Sequence, residues 1–272
     1  MRQKLCYPAF RAAFSLVELS IVLVIVGLLT GGILMGQSLI RNSQIQKVIG
    51  DYQAYRDASV AFRDQYDALP GDMSDAVSYW GAADGGTGQT NACTTTSTGT
   101  AATCNGNGDG RLAGEGIWGG NTTRFEVYRA WQQLANSKLI NGNFSGIPVG
   151  NIGANPGANV PRGSIDNSGF SFWYIGTTSG HPNLFDGAHS NVIIFGNSAG
   201  GGDITIYPIL KPEEAWNIDT KIDDGRPGTG LVHTIKSGTY SSVCPTTNVA
   251  TTAEYNLSNS TTGCALMFNT GF

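Results

Sequence analysis

Between Leu19 and Ile40 no side chain carries a charge, and the run is mostly Val, Ile, Leu and Gly. About 20 such residues suffice for a helix to cross the hydrocarbon core of a bilayer. Past Ile40 the pattern turns amphipathic without a break. Ile45, Val48, Ile49, Tyr52, Tyr55, Phe62 and Tyr66 recur on one helical face, and Ser59 takes the one apolar position left out. Arg41, Gln44, Lys47, Asp51, Arg56 and Arg63 lie mainly elsewhere. No proline interrupts the stretch from Phe14 to Leu69, and Pro70-Gly71 then ends it. The pattern predicts one helix over residues 14–67. At the helical rise of about 1.5 Å per residue it is roughly 80 Å long. Its first half suits lipid, and its second half suits packing under a globular head.

Residues 68–272 form that head. Pro70-Gly71-Asp72-Met73 leads to a short segment ending at Trp80-Gly81. A stretch from about Ala82 to Ala102, rich in Gly, Thr, Ser, Asn and Ala, reads as an exposed loop. Thr123 and Glu126 have capping-box spacing. They open a helix whose face is Val127, Tyr128, Trp131, Leu134, Ala135 and Leu139 and which Asn141-Gly142 closes. Strand patterns follow at residues 169–176, 191–196 and 203–208, short and bounded by Gly, Asn or Pro. Sequential strands with short links imply an antiparallel sheet, one face covering the N-terminal helix. Pro212-Glu213-Glu214 opens a last helix, with acids near the positive end of its dipole. The expected fold is α+β: one long helix on a small antiparallel sheet with loop-rich insertions.

Composition narrows the class. A hydrophobic fraction of 40% excludes a disordered chain, and a net charge of −4 gives no nucleic-acid footprint. Arg2, Lys4 and Arg11 precede residue 14 with no acid among them. That bias puts the N-terminus in the cytoplasm and the head outside. A secretory signal peptide has a similar start, but its apolar centre is shorter and does not run on into an amphipathic helix. Cys6 lies in the basic stretch, leaving Cys93, Cys104, Cys244 and Cys264 for the head. An even number beyond a membrane-crossing segment fits disulfides in an oxidising compartment. Of the pairings open to them, Cys93–Cys104 with Cys244–Cys264 closes two short polar loops. The rival, a zinc site, has no CxxC and no nearby His in its favour.

Candidate chemistry is sparse. Glu18 stands alone as an acid inside the apolar run, and an intramembrane carboxylate is a functional hypothesis by default. Its alternative is an interfacial residue that snorkels to the surface. Asn105, Asn107 and Asp109, with Gly110 after them, match the front half of a calcium loop. The rear half is imperfect, with Gly116 where an acid belongs and Glu115 one place early, so a Gly/Asn turn is the competing reading. Asp219, Asp223 and Asp224, beside Gly225, form a second calcium candidate, or else a capped helix end balanced by Lys221. His181, His189 and His233 show no metal spacing, and Asp186 near His189 is a loop coincidence. No GxSxG, HExxH or phosphate-loop motif is present, so no enzyme activity is expected.

Ala13-Phe14-Ser15-Leu16-Val17-Glu18, followed by the apolar run to Gly27, resembles the N-terminal cleavage and methylation segment of type IV prepilins and type II secretion pseudopilins. The resemblance implies a leader of residues 1–13, cleavage between Ala13 and Phe14, N-methylation of Phe14, and Glu18 as fifth mature residue. A free α-amine and a carboxylate are both costly in lipid, and pairing them between neighbouring subunits offsets that cost and sets their register. Two positions depart from the family. Ala13 stands where a Gly is usual before the cut, and Met35 where many members carry a proline. The segments Pro70–Asp72, the helix around Trp131 and Pro212–Gly230 also resemble parts of large prepilin-type proteins. By this resemblance the chain is a structural subunit of a type II secretion pseudopilus or type IV pilus, and its large head hints at a minor or tip position. Its implied partners are other pilin-like subunits, a prepilin peptidase and methyltransferase, and an inner-membrane assembly platform. The implied location is the bacterial inner membrane, single-pass with the head periplasmic, or an extracellular filament. The alternative from another class is a membrane-tethered periplasmic binding or adhesion module that never polymerises.

Overall fold

The computed structural model describes residues 15–86, 88, 93, 101–112, 125–149, 153–198, 204–236, 240 and 243–272. Arg2, Lys4, Cys6, Arg11, Ala13, Phe14, Glu115, Gly116 and Thr123, each named above, and position 203 of the third strand pattern lie outside the described residues. The chain divides into two compact units, Met1–Gln44 and Ile45–Phe272.

The described part of the first unit is helical from Leu16 and belongs to α1 (Leu16–Tyr66). Its large apolar side chains are exposed, Leu16, Leu23, Leu28, Leu34 and Ile40 among them. This helix is long and apolar enough to cross a membrane.

In the second unit α1 changes character. Ile45, Val48, Ile49, Tyr52, Ala58, Ser59 and Phe62 are buried, and Tyr55 and Tyr66 pack half-buried against the same core. Ser59 is accommodated because its hydroxyl donates to the Tyr55 carbonyl oxygen one turn back, at 2.8 Å. The helix stops before Pro70. Asp67 adopts a left-handed φ of 53°, and its N–H closes the last turn on the Arg63 carbonyl at 2.8 Å.

Among the described residues, three further helices and a four-stranded sheet build the rest of the core, the helices being α2 (Ala76–Trp80), α3 (Phe125–Asn136) and α4 (Pro212–Ile222). The sheet contains β1 (Ser168–Tyr174), β4 (Asn191–Asn197), β5 (Val232–Thr234) and β6 (Leu266–Asn269) in the order β1-β4-β6-β5, all antiparallel. A two-stranded ribbon, β2 (Thr177–Thr178) with β3 (Gly187–Ala188), lies in the connection between β1 and β4. Residues 204–208 are not a strand. Only Tyr207 bridges to Asn197, and the Thr205 hydroxyl and N–H are spent on the Ile194 carbonyl and Ser171 Oγ. The place next to β4 belongs instead to β6, from the C-terminal end of the chain.

One sheet face covers α1 and α3 through aromatic contacts. Tyr52 stacks on Phe268 with centroids 4.2 Å apart, Tyr55 meets Phe170 edge-on at 5.1 Å, and Trp131 stacks on Phe172 at 4.3 Å. Aromatic pairs in these geometries contribute beyond their buried area, by about 0.5–1.5 kcal/mol each. Helix α3 is buried on more than the expected face. Arg129, Gln132 and Gln133 are buried together with Val127, Tyr128, Trp131 and Leu134. The glutamines are tolerated because they bond loop backbone: Gln133 accepts the Gly71 N–H at 2.6 Å and donates to the Cys104 carbonyl, while Gln132 donates to the Ala102 carbonyl. The helix also ends earlier than Asn141-Gly142, with Lys138 at a φ of 62°.

Candidate functional site

Glu18 sits in the first turn of α1, exposed like its apolar neighbours. The Ser15 N–H donates to its carboxylate at 2.9 Å, and the Glu18 N–H donates to Ser15 Oγ at 3.2 Å. This is a reciprocal capping box, which satisfies two of the N–H groups that a helix start leaves without partners. The Ser-x-x-Glu spacing of Ser15 and Glu18 is its signature in the sequence. Glu18 therefore combines two features: it is the one acid between Ser15 and Ile40, and its carboxylate is held at the helix N-terminus by its own chain.

The front half of the calcium-like loop is organised around a residue the sequence reading did not single out. Asp72 is buried, and its carboxylate accepts the N–H groups of Gly108 at 2.7 Å, Asp109 at 3.2 Å and Gly110 at 2.8 Å. The side-chain oxygens of the loop turn to backbone as well. Asn105 accepts the Val77 N–H, Asn107 that of Asp109, and Asp109 that of Arg111. Burial raises the Asp72 carboxyl above the usual range against the pull of its three N–H donors. Gly71 lets this turn sit against α3: its φ is 89°, and a Cβ there would lie 2.3 Å from the Glu126 carbonyl oxygen.

Asp219, Asp223 and Asp224 are brought together at the end of α4, each offering an oxygen within 4.8 Å of the others. Asp219 is fully buried. It accepts the Tyr255 hydroxyl at 2.8 Å and the Gly225 N–H at 3.2 Å. Burial pushes its carboxyl up to about 7, and the charges of Asp224 and Asp223 add to the rise. Asp223 accepts the Leu231 N–H, and Asp224 accepts from Arg226 N–H and the Thr229 hydroxyl. Three hard oxygens at this spacing are the donor set a calcium ion takes, and they equally serve as acceptors that fold residues 225–231 back onto α4.

Cys93 pairs with Cys104 and Cys244 with Cys264, with Cα separations of 5.8 and 5.1 Å. Two histidines that showed no spacing in the sequence, His189 and His233, meet in the head with ring centroids 4.9 Å apart. Asp186 accepts the Gly180 N–H, whereas His189 bonds Phe185 and Thr178.

The chain matches no protein-family model, no curated protein and no solved structure.

Proposed function

We propose that this chain is a prepilin-like structural subunit, cut between Ala13 and Phe14 and assembled through its N-terminal helix into a type II secretion pseudopilus or type IV pilus. The observation that carries the reading is the segment from Ala13 to Gly27. In it a single acid, Glu18, stands at the start of an apolar run long enough to span a bilayer. The exposed apolar side chains of α1 before Ile45 support it, since such a surface needs lipid or other helices around it. The capping box gives Glu18 a resting place before assembly. In the polymer its carboxylate meets the α-amine of a neighbouring Phe14.

Two measurements test this. N-terminal sequencing of the mature protein is expected to begin at Phe14, and any other start overturns the processing step. Glu18→Ala is expected to insert in the membrane normally but to drop out of the filament. If that variant behaves as wild type, the chain is better described as a membrane-tethered periplasmic binding module.

A further inference from the structure

His189 lies in the link from β3 to β4 and His233 in the middle of β5. Their rings stand at 82° to each other, and both side chains are buried, with 1% and 7% exposure. Each ring is held through Nε2. That of His189 is 2.9 Å from the Phe185 carbonyl oxygen and 3.1 Å from Thr178 Oγ1, and that of His233 is 3.0 Å from the Gly230 carbonyl oxygen. A carbonyl oxygen only accepts, so both Nε2 atoms carry the proton. The Thr178 hydroxyl fits this tautomer, because its own proton goes to the Phe185 carbonyl at 2.6 Å. Each Nδ1 is then a bare lone pair, and among the described residues neither has a hydrogen-bond partner.

Two buried acceptors on neighbouring rings, neither with a donor among the described residues, leave a place for a group that accepts electron pairs. A metal ion fits in two respects. Histidines that bind metals through one nitrogen typically donate the other N–H to a carbonyl or carboxylate, which sets tautomer and ring orientation, and both rings here are held in that way. Two imidazoles bound at about 2.0–2.1 Å to one ion, at a near-tetrahedral angle, have centroids about 5 Å apart. The observed separation is 4.9 Å.

We propose that His189 and His233 bind one imidazole-seeking divalent cation through their Nδ1 atoms, zinc being the chosen case, with water in the remaining positions. This site is independent of the assembly reading and separate from the three carboxylates of α4, which suit harder ions. The test uses the full chain in detergent. Zinc at about a hundredfold excess over its dissociation constant is expected to raise Tm by roughly 5 °C, and chelator to reverse it. His189→Gln and His233→Gln should each remove the shift, while Asp224→Asn keeps it. No rise with zinc, or a rise that survives in both histidine variants, overturns the proposal. Where a variant fails to fold, imidazole NMR of the wild-type chain decides. Zinc must move the ring signals of His189 and His233 and spare those of His181; the reverse pattern, or no movement, sinks the site.

Discussion

Asp219 is the residue whose protonation the head feels most directly. Its folded-state pKa of about 7 lies above the value near 3.8 of an unperturbed aspartate. A carboxyl raised on folding favours the native state in its protonated form. That contribution is fully present below the unfolded pKa and is lost as pH rises through about 7, and its full size is on the order of 4 kcal/mol. The three histidines act in the opposite sense, because burial lowers each of them and acidification below about 6.5 favours the unfolded chain. Wild-type stability alone therefore mixes the two. Asp219→Asn separates them: its stability relative to wild type, from denaturant melts, should rise between pH 4 and pH 7 and level off above about pH 8. A difference that is flat with pH would mean that Asp219 is charged in the folded head. At the other end of the chain, Ser15→Ala removes the hydroxyl half of the capping box. It is expected to cost about 1 kcal/mol of first-turn stability, read as faster amide exchange at Leu16 to Glu18.

At the scale of elements, glycines mark where α1 and α4 tolerate change and where they do not. Gly50 lies inside α1 at an exposed position, and a Cβ there meets nothing within 4 Å. Gly50→Ala should stabilise the chain by up to about 1 kcal/mol, seen as a higher Tm. Gly230 is the contrary case. Its φ is 79°, and a Cβ would fall 1.7 Å from the Asp223 carboxylate. Gly230→Ala is expected to cost more than about 1 kcal/mol and to free the turn that folds back on α4. The same elements show how far periodicity reaches. Helix α1 was legible because its 3.6-residue pattern persists over many turns, β1 because Phe170, Phe172 and Tyr174 alternate, and β4 because Val192, Ile193, Ile194 and Phe195 form an apolar run between Asn and Gly. Strands β5 and β6 were not, being three and four residues long and set among Thr, Ser and Gly. The burial of Arg129, Gln132 and Gln133 was hidden for a different reason. Their partners are backbone groups of a loop far away in sequence, which no local pattern reports. Distance in sequence also concealed the His189–His233 pair and the Asp72 hub. The carboxylates of Asp219, Asp223 and Asp224 were visible together because they lie within six positions of one another in the sequence.

For the whole molecule, the division at Gln44 and Ile45 has a direct consequence. The first buried residue of α1 is Ile45, and from there to Phe62 the helix supplies core: Val48 and Phe62 are fully buried and Tyr52 nearly so. A chain begun at Ile45 retains every one of those contacts and sheds the exposed apolar stretch from Leu16 to Ile40. It is expected to be soluble without detergent and to melt cooperatively, with Cys93–Cys104 and Cys244–Cys264 intact. A chain begun at Leu69 differs by only the second half of α1, yet it uncovers Phe170, Phe268 and Trp131, against which Tyr52 and Tyr55 pack. Removing one large aromatic side chain from such a core costs about 3–5 kcal/mol, and several go at once, against a total stability of about 5–15 kcal/mol. The shorter chain should therefore aggregate or stay unfolded, as judged by gel filtration and near-UV circular dichroism. If it instead folds, the sheet and α3 carry their own core and the second half of α1 is only a stalk. If the chain begun at Ile45 fails while the full chain folds in detergent, the apolar segment contributes to the head's stability.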